Sequence, residues 1–207
     1  TYLYANDNGT LPNYISETGQ CQETGRDQAH TQLGLGAMCE ICEMAWVQGD
    51  DLYGALDNRL MKGLEYTARY NLGYDVPFET WKDCTGLYCH WTELGAMQRG
   101  RIRCIYDSAY EHYTKVKRLS MPYTKKLLDL QRKAEKRGEI SEGMEARTFV
   151  VKGVHESTKL HSIVTYSAPE GAPLMRDYDV FIRPRGVEER TKIDTYMAKV
   201  NAPIGDN

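Results

Sequence analysis

Two stretches of helical periodicity separated by a short polar turn constrain this chain most. From Thr31 to about Gln48 the apolar residues Leu35, Met38, Cys39, Cys42, Ala45 and Trp46 recur at helical spacing, and Leu33, Ile41 and Met44 spread the apolar surface round a second face. That distribution predicts a largely buried helix. After the GDDLYG turn, Leu56, Leu60, Gly63, Leu64 and Thr67 mark a second helix running to about Asn71, with Gly73 placed to end it. Helices joined by so short a turn form an antiparallel hairpin.

The flanks differ in character. Residues 1–30 are rich in Gly, Asn, Thr and Tyr without a sustained period, which predicts an irregular approach loop to the first helix. Residues 72–99 carry Pro77, two Trp and two Cys, again without a period, and predict a long ordered excursion over one end of the helical layer. Ile102, Ile105, Tyr106, Ala109, Tyr110 and Tyr113 form a helical stripe. A further, solvent-facing helix is predicted from Pro122 to about Arg137, with proline at a tolerated first-turn position. Beyond Gly143, RTFVVKGV, HSIVTYS and YDVFIRP are β-branched or aromatic runs bounded by Gly, Ser and Pro, as expected of strands. The expected organisation is mainly α: a helical domain over 1–143, then a β-rich tail over 144–207 whose role is unassigned.

Composition removes several function classes. Lys and Arg total 26 against 29 Asp and Glu, a formal charge of -3, which argues against a broad basic surface for nucleic acid. Any anion must be held by a local cluster. No apolar run approaches the roughly 18 residues of a membrane span. Tyrosine, at 15 against 3 Phe and 3 Trp, suits a carbohydrate groove and equally suits half-buried cores. The chain starts at Thr1 without an initiator Met or a signal-like segment, as expected of a processed secreted protein or of part of a longer one.

Six cysteines permit three disulfides, and Cys84–Cys89 is the favoured pair because it closes a short Gly-containing loop between Trp81 and Trp91. Cys39 and Cys42 form a CxxC inside a helical pattern, with neither a second CxxC nor a preceding strand. They read as small buried apolar residues rather than as zinc or redox ligands. HExxH and GxSxG are absent, and no metal or cofactor is expected.

The densest polar cluster is Glu23, Arg26, Asp27, Gln28, His30 and Gln32, immediately before the first long helix. Its plain reading is a helix start, with Asp27 or Thr31 capping and the charges solvated. A longer pattern gives it a second reading. The stretch ETGRDQAHTQLGLGAMCEICEMAWVQGDDLYGALDNRLMKGLEYTARYNLGYDVPF resembles the alginate-lyase domain family, in particular members with a GRDQxHTQLG segment followed by an AW..G.DLYG...NRL.KG.EYTA.YNLG.DVP run. The resemblance covers roughly residues 2 to 113; related members also carry PNYIS, here at Pro12–Ser16, and an MPYT segment, here at Met121–Thr124.

The resemblance implies an (α/α) toroid of helical hairpins around a groove, and β-elimination at a uronate of an anionic polysaccharide such as alginate or glucuronan. That reaction must neutralise the C6 carboxylate, remove the C5 proton and protonate the departing O4. Arg26 suits the first task through its planar fork, with Gln28 donating a hydrogen bond beside it. His30 suits the second, as the side chain that changes charge nearest neutral pH. A tyrosine is the usual proton shuttle in related lyases, and Tyr14 is the candidate taken from Tyr2, Tyr4 and Tyr14. Glu23, Asp27 and Gln32 are expected to line the substrate site, joined by His90 and by Trp91 as a sugar platform. Related toroidal lyases also bring an Asn or an Asn/His pair from helices upstream of this segment, which this sequence does not contain.

His112 could face either way, His155 and His161 receive no role, and Arg99, Arg101 and Arg103 either form a solvated face or guide an anionic chain. The alternative to a secreted polysaccharide lyase is a non-catalytic carbohydrate-binding or structural protein that keeps the helices.

Overall fold

The computed structural model describes residues 2–3, 7–142 and 147–154. The chain divides into two compact units, Thr1–Thr165 and Tyr166–Asn207, and every described residue belongs to the first. The strands expected in HSIVTYS and YDVFIRP, together with Tyr4, His155 and His161, lie outside the described residues.

The architecture is mixed. Among the described residues there are five α-helices: α1 (Leu11–Tyr14), α2 (Gln28–Val47), α3 (Ala55–Asn71), α4 (Asp107–Glu111) and α5 (Pro122–Lys136). Five short strands, β1 (Trp81–Lys82), β2 (His90–Trp91), β3 (Arg101–Arg103), β4 (Ser141–Glu142) and β5 (Arg147–Val150), form two small antiparallel sheets ordered β1-β2 and β3-β5-β4. The described helices form no toroid of hairpins.

The expected hairpin is α2 and α3, which pack on each other across a short connection containing the 3-10 turn Leu52–Gly54. Asp27 caps α2, accepting the His30 backbone N–H, as the plain reading of the polar cluster expects. Gly73, with φ of +96°, follows the last turn of α3 in the left-handed conformation that ends helices. Helix α3 opens with one left-handed turn at Leu56, Asp57 and Asn58. The core holds Leu35, Met38 and Cys42 of α2, Leu60 and Leu64 of α3, and Tyr106 and Leu127 beyond them.

The second apolar face of α2 is exposed rather than buried. Leu33, Ile41 and Met44 are 42%, 36% and 59% accessible, because the described elements pack only on the opposite side of the helix. Helix α5 departs the other way: Leu127, Leu128 and Ala134 are buried on α3, so it is amphipathic rather than wholly solvent-facing.

The stripe from Ile102 to Tyr113 is not one helix. Arg101–Arg103 forms β3, with Ile102 buried opposite Phe149 of β5, and only from Asp107 does the chain turn helical, ending in a π turn over His112–Val116. A single β-branched residue between two arginines is compatible with either period. The long-range pairing to β5 decides it. The same pairing makes β5 part of the unit that holds the helices, beyond the boundary drawn at residue 143.

All six cysteines are free thiols, so the expected Cys84–Cys89 bridge is not formed. That loop is closed instead by the Asp83 carboxylate, which accepts the backbone N–H groups of Thr85, Tyr88 and Cys89 and the Thr85 hydroxyl. Cys39 and Cys42 are buried as expected, and burial pushes the Cys42 thiol up to about 11.

Candidate functional site

The polar cluster folds as a 3-10 turn, Gln22–Gly25, running into the start of α2, with the 83–97 loop laid over it. Two glycines make this approach possible. Gly25 sits against Trp91 and Gly34 against the Tyr14 hydroxyl, both so closely that neither could carry a Cβ. Backbone bonds from Gly95 N to Thr24 O (3.0 Å) and from Gln28 N to Met97 O (3.0 Å) fasten the loop.

Asp27 organises the centre. It is 2% exposed; its Oδ1 accepts the His30 N–H at 2.8 Å and its Oδ2 lies 2.5 Å from His30 Nδ1. The same Oδ2 lies 3.8 Å from Arg26 Nε. One buried carboxylate therefore bonds the imidazole and lies within ion-pair distance of the guanidinium. With Nδ1 engaged, His30 presents Nε2, which has no partner among the described residues, and the side chain is 42% exposed. A carboxylate on one ring nitrogen fixes the tautomer and leaves the other nitrogen available as a base.

Arg26 is shared. Its Nη1 donates to Glu23 Oε2 at 3.3 Å and to the Tyr88 hydroxyl at 3.1 Å, and Nη2 is without a partner among the described residues. Tyr88 is the residue that sequence reasoning missed. It lies 62 positions from Arg26, in a loop whose conformation depends on Asp83, and no local pattern marks it. Burial, reinforced by the Glu23 carboxylate, pushes its phenol up to about 12. Tyr14 is buried, and burial together with Cys21 and Glu23 raises its hydroxyl well above the usual phenol range. That hydroxyl donates to the His30 carbonyl at 3.5 Å.

Gln28 and Gln32 do not line a groove. Gln28 is 1% exposed: its Nε2 donates to Gly95 O at 2.8 Å and its Oε1 accepts from Asn71 Nδ2 at 2.9 Å. Gln32 is fully buried, donating to Arg101 O and accepting the Arg103 N–H, each at 2.9 Å. Both amides are taken up in joining α2 to the 95–103 segment and to α3, which leaves them nothing to offer a substrate.

Trp91 stands behind the Arg26 turn against Gly25 and pairs across the β1–β2 hairpin with Trp81. His90, next in the same strand, is exposed and paired with Lys82, so it projects from the opposite face. Tyr2 bonds Cys42 at 3.4 Å and takes no part in the cluster. His112 is buried in an aromatic box, stacked on Tyr53 and edge-on to Trp46, with Nε2 3.4 Å from Asp51. Arg99 is stacked on the Tyr70 ring at 4.0 Å and bonded to the Tyr70 carbonyl, so it does not form a free basic face. The structure thus brings together Glu23, Arg26, Asp27, His30, Tyr14 and Tyr88.

No family model, curated protein or solved structure matches this chain. The likeness to alginate lyases rests on the motifs themselves. Among the described residues, no three His, Cys, Asp or Glu gather as metal ligands would, and no helix is long and apolar enough to cross a membrane.

Proposed function

We propose that this chain is a polysaccharide lyase that cleaves a uronate-containing polymer by β-elimination at the Arg26–His30 turn. The observation that carries the reading is the 2.5 Å contact between the buried Asp27 carboxylate and His30 Nδ1, which leaves Nε2 free on a carboxylate that also lies 3.8 Å from Arg26, itself bonded to Tyr88.

Each requirement of the reaction has a candidate. The free Nη2 edge of Arg26 takes the C6 carboxylate, withdrawing charge so that the C5 proton becomes acidic. His30 Nε2 removes that proton, and Asp27 stabilises the resulting imidazolium. The electron pair forms the C4–C5 double bond as the C4–O4 bond breaks, and O4 leaves with the proton of a phenol. Tyr88 suits this donation better than Tyr14, because its hydroxyl adjoins the exposed guanidinium while that of Tyr14 faces the α2 backbone. A phenol is protonated at neutral pH, and burial raises that of Tyr88 further.

An (α/α) toroid is assembled from helical hairpins, and we read α2–α3 as one such unit. Extracellular action on an acidic polymer, without cofactor, belongs to the same proposal. Mass analysis of the products after incubation with alginate, polymannuronate, polyguluronate and glucuronan tests the reaction class. Elimination leaves an unsaturated terminal sugar lacking the elements of water relative to a hydrolysis product. Hydrated ends would replace the lyase reading with a hydrolase. Intact polymer that still binds the protein would favour a non-catalytic carbohydrate binder.

A further inference from the structure

A second cluster, sharing no residue with the first, lies where α3 meets the first turn of α5. Lys62, Tyr66 and Arg69 project from one face of α3 at i, i+4 and i+7, and Pro77 and Tyr123 complete an open cleft of about 280 Å³. That is near the lower end of small-molecule sites, ~300 Å³, and suits one sugar ring at a time.

Its lining carries two cations, Lys62 and Arg69, against one carboxylate. The acidic residue at its edge, Glu65, has both oxygens engaged as the cap of α5, accepting the N–H groups of Tyr123 (3.1 Å) and Thr124 (2.8 Å). Tyr66 donates to the Pro77 carbonyl at 2.5 Å, which fixes one wall. Lys62 pairs with Asp57, whose side chain is 84% exposed, a weak surface contact that an incoming anion can displace. The Nε of Arg69 is buried with no hydrogen-bond partner among the described residues. No ion pair among the described residues holds the Arg69 guanidinium, so its charge is available to an anion in the cleft it lines.

The cations alternate with aromatic faces. The Arg69 guanidinium lies 5.7 Å from the Tyr123 ring centre, Tyr123 lies 5.7 Å from Tyr74, and Lys126 lies 4.8 Å from the Tyr74 ring. Such a row offers a stacking surface for a sugar and a cation for its acidic group. We infer that this cleft is a binding subsite for a uronate residue of an acidic polysaccharide, with the carboxylate on Arg69 and Lys62 and the ring on Tyr123. The inference rests on the reading of the chain as one that acts on uronate polymers, and it adds a contact remote in sequence from the reacting turn.

The test uses the full chain. A short oligomannuronate is titrated into the His30→Ala variant and followed by NMR, with a neutral cello-oligosaccharide as control. Saturable shifts at Lys62, Arg69 and Tyr123 with the acidic oligomer alone are expected. Lys62→Gln, an accessible change that spares the fold, and Arg69→Gln should each weaken binding about tenfold, the loss of one charge-assisted contact. In the active protein the same changes should raise KM for polymer while kcat stays within about twofold. Equal binding of the neutral oligomer, or undiminished binding in both variants, overturns the subsite. Double-bond formation with an unchanged KM in both variants overturns it while leaving the lyase reading intact. Saturable acidic binding here without double-bond formation by the native protein supports the subsite and removes the lyase reading.

Discussion

Asp27 caps helix α2 and orients the His30 imidazole with the two oxygens of one carboxylate, at 2.8 Å to the His30 N–H and 2.5 Å to Nδ1. The cap that the plain reading expects and the contact that the proposed chemistry needs are made by the same side chain, which is buried and does not itself line a substrate site. Asn is as good a cap as Asp, but it carries no charge to stabilise an imidazolium. Asp27→Asn should change stability by less than about 1 kcal/mol while lowering kcat by roughly 10²–10⁴-fold. Denaturant melts and initial rates check the two halves, and a native kcat after that substitution would remove Asp27 from the mechanism.

The two tyrosines of the cluster can be separated. Removing the Tyr88 hydroxyl takes one of two partners from Arg26 Nη1 and the proposed acid from O4. Tyr88→Phe should lower kcat by about 10²-fold or more, the usual value of a general acid. Tyr14→Phe loses only a long bond to a backbone carbonyl and should retain activity within about tenfold, since no donor to substrate is lost. The opposite ranking in parallel kcat measurements would return the acid role to Tyr14.

The buried amides make a different prediction. Gln32→Leu removes the donor to the Arg101 carbonyl and the acceptor of the Arg103 N–H at a half-buried seam. Stability should fall by about 1–3 kcal/mol with KM unchanged in the folded fraction. A raised KM without loss of stability would show instead that Gln32 meets substrate.

Legibility follows the range of the interactions. The α2–α3 hairpin and the start of α5 are plain in the sequence, because capping at Asp27, the stop at Gly73 and proline at Pro122 act within a turn or two. Ile102 is misread as helical because its strand exists only by pairing with Phe149, 47 residues on, by the difference of the two numbers. Gln28 and Gln32 look like site residues in the sequence because polarity does not announce burial. Their partners Asn71, Gly95, Arg101 and Arg103 come from other elements. Tyr88 is silent for the same reason, and the exposed face of α2 carries the same residues a buried one would.

The loop that supplies Tyr88 should be acid-sensitive. Burial works to raise the pKa of Asp83, but the N–H groups of Cys89, Tyr88 and Thr85 and the Thr85 hydroxyl outweigh it and bring the carboxyl down to about 2. A depressed folded-state value means that the stabilisation is full above the unfolded value of ~3.9 and is lost as pH falls toward 2. Asp83→Asn should be less stable than the native protein at pH 7, and the gap should shrink between pH ~4 and ~2. Thermal melts across that range check it, and a gap that widens on acidification would contradict the assignment.

In the proposed reaction His30, held by Asp27, removes the C5 proton of a uronate. The most direct measurement of that step is the absorbance of the new C4–C5 double bond when the native chain and His30→Ala meet the four uronate polymers. A rise is expected with at least one polymer from the native chain, and its loss, by about 10²-fold or more, in the variant. An equal rise from both proteins would contradict the role of His30, and no rise from the native chain with any of the polymers would contradict the lyase itself.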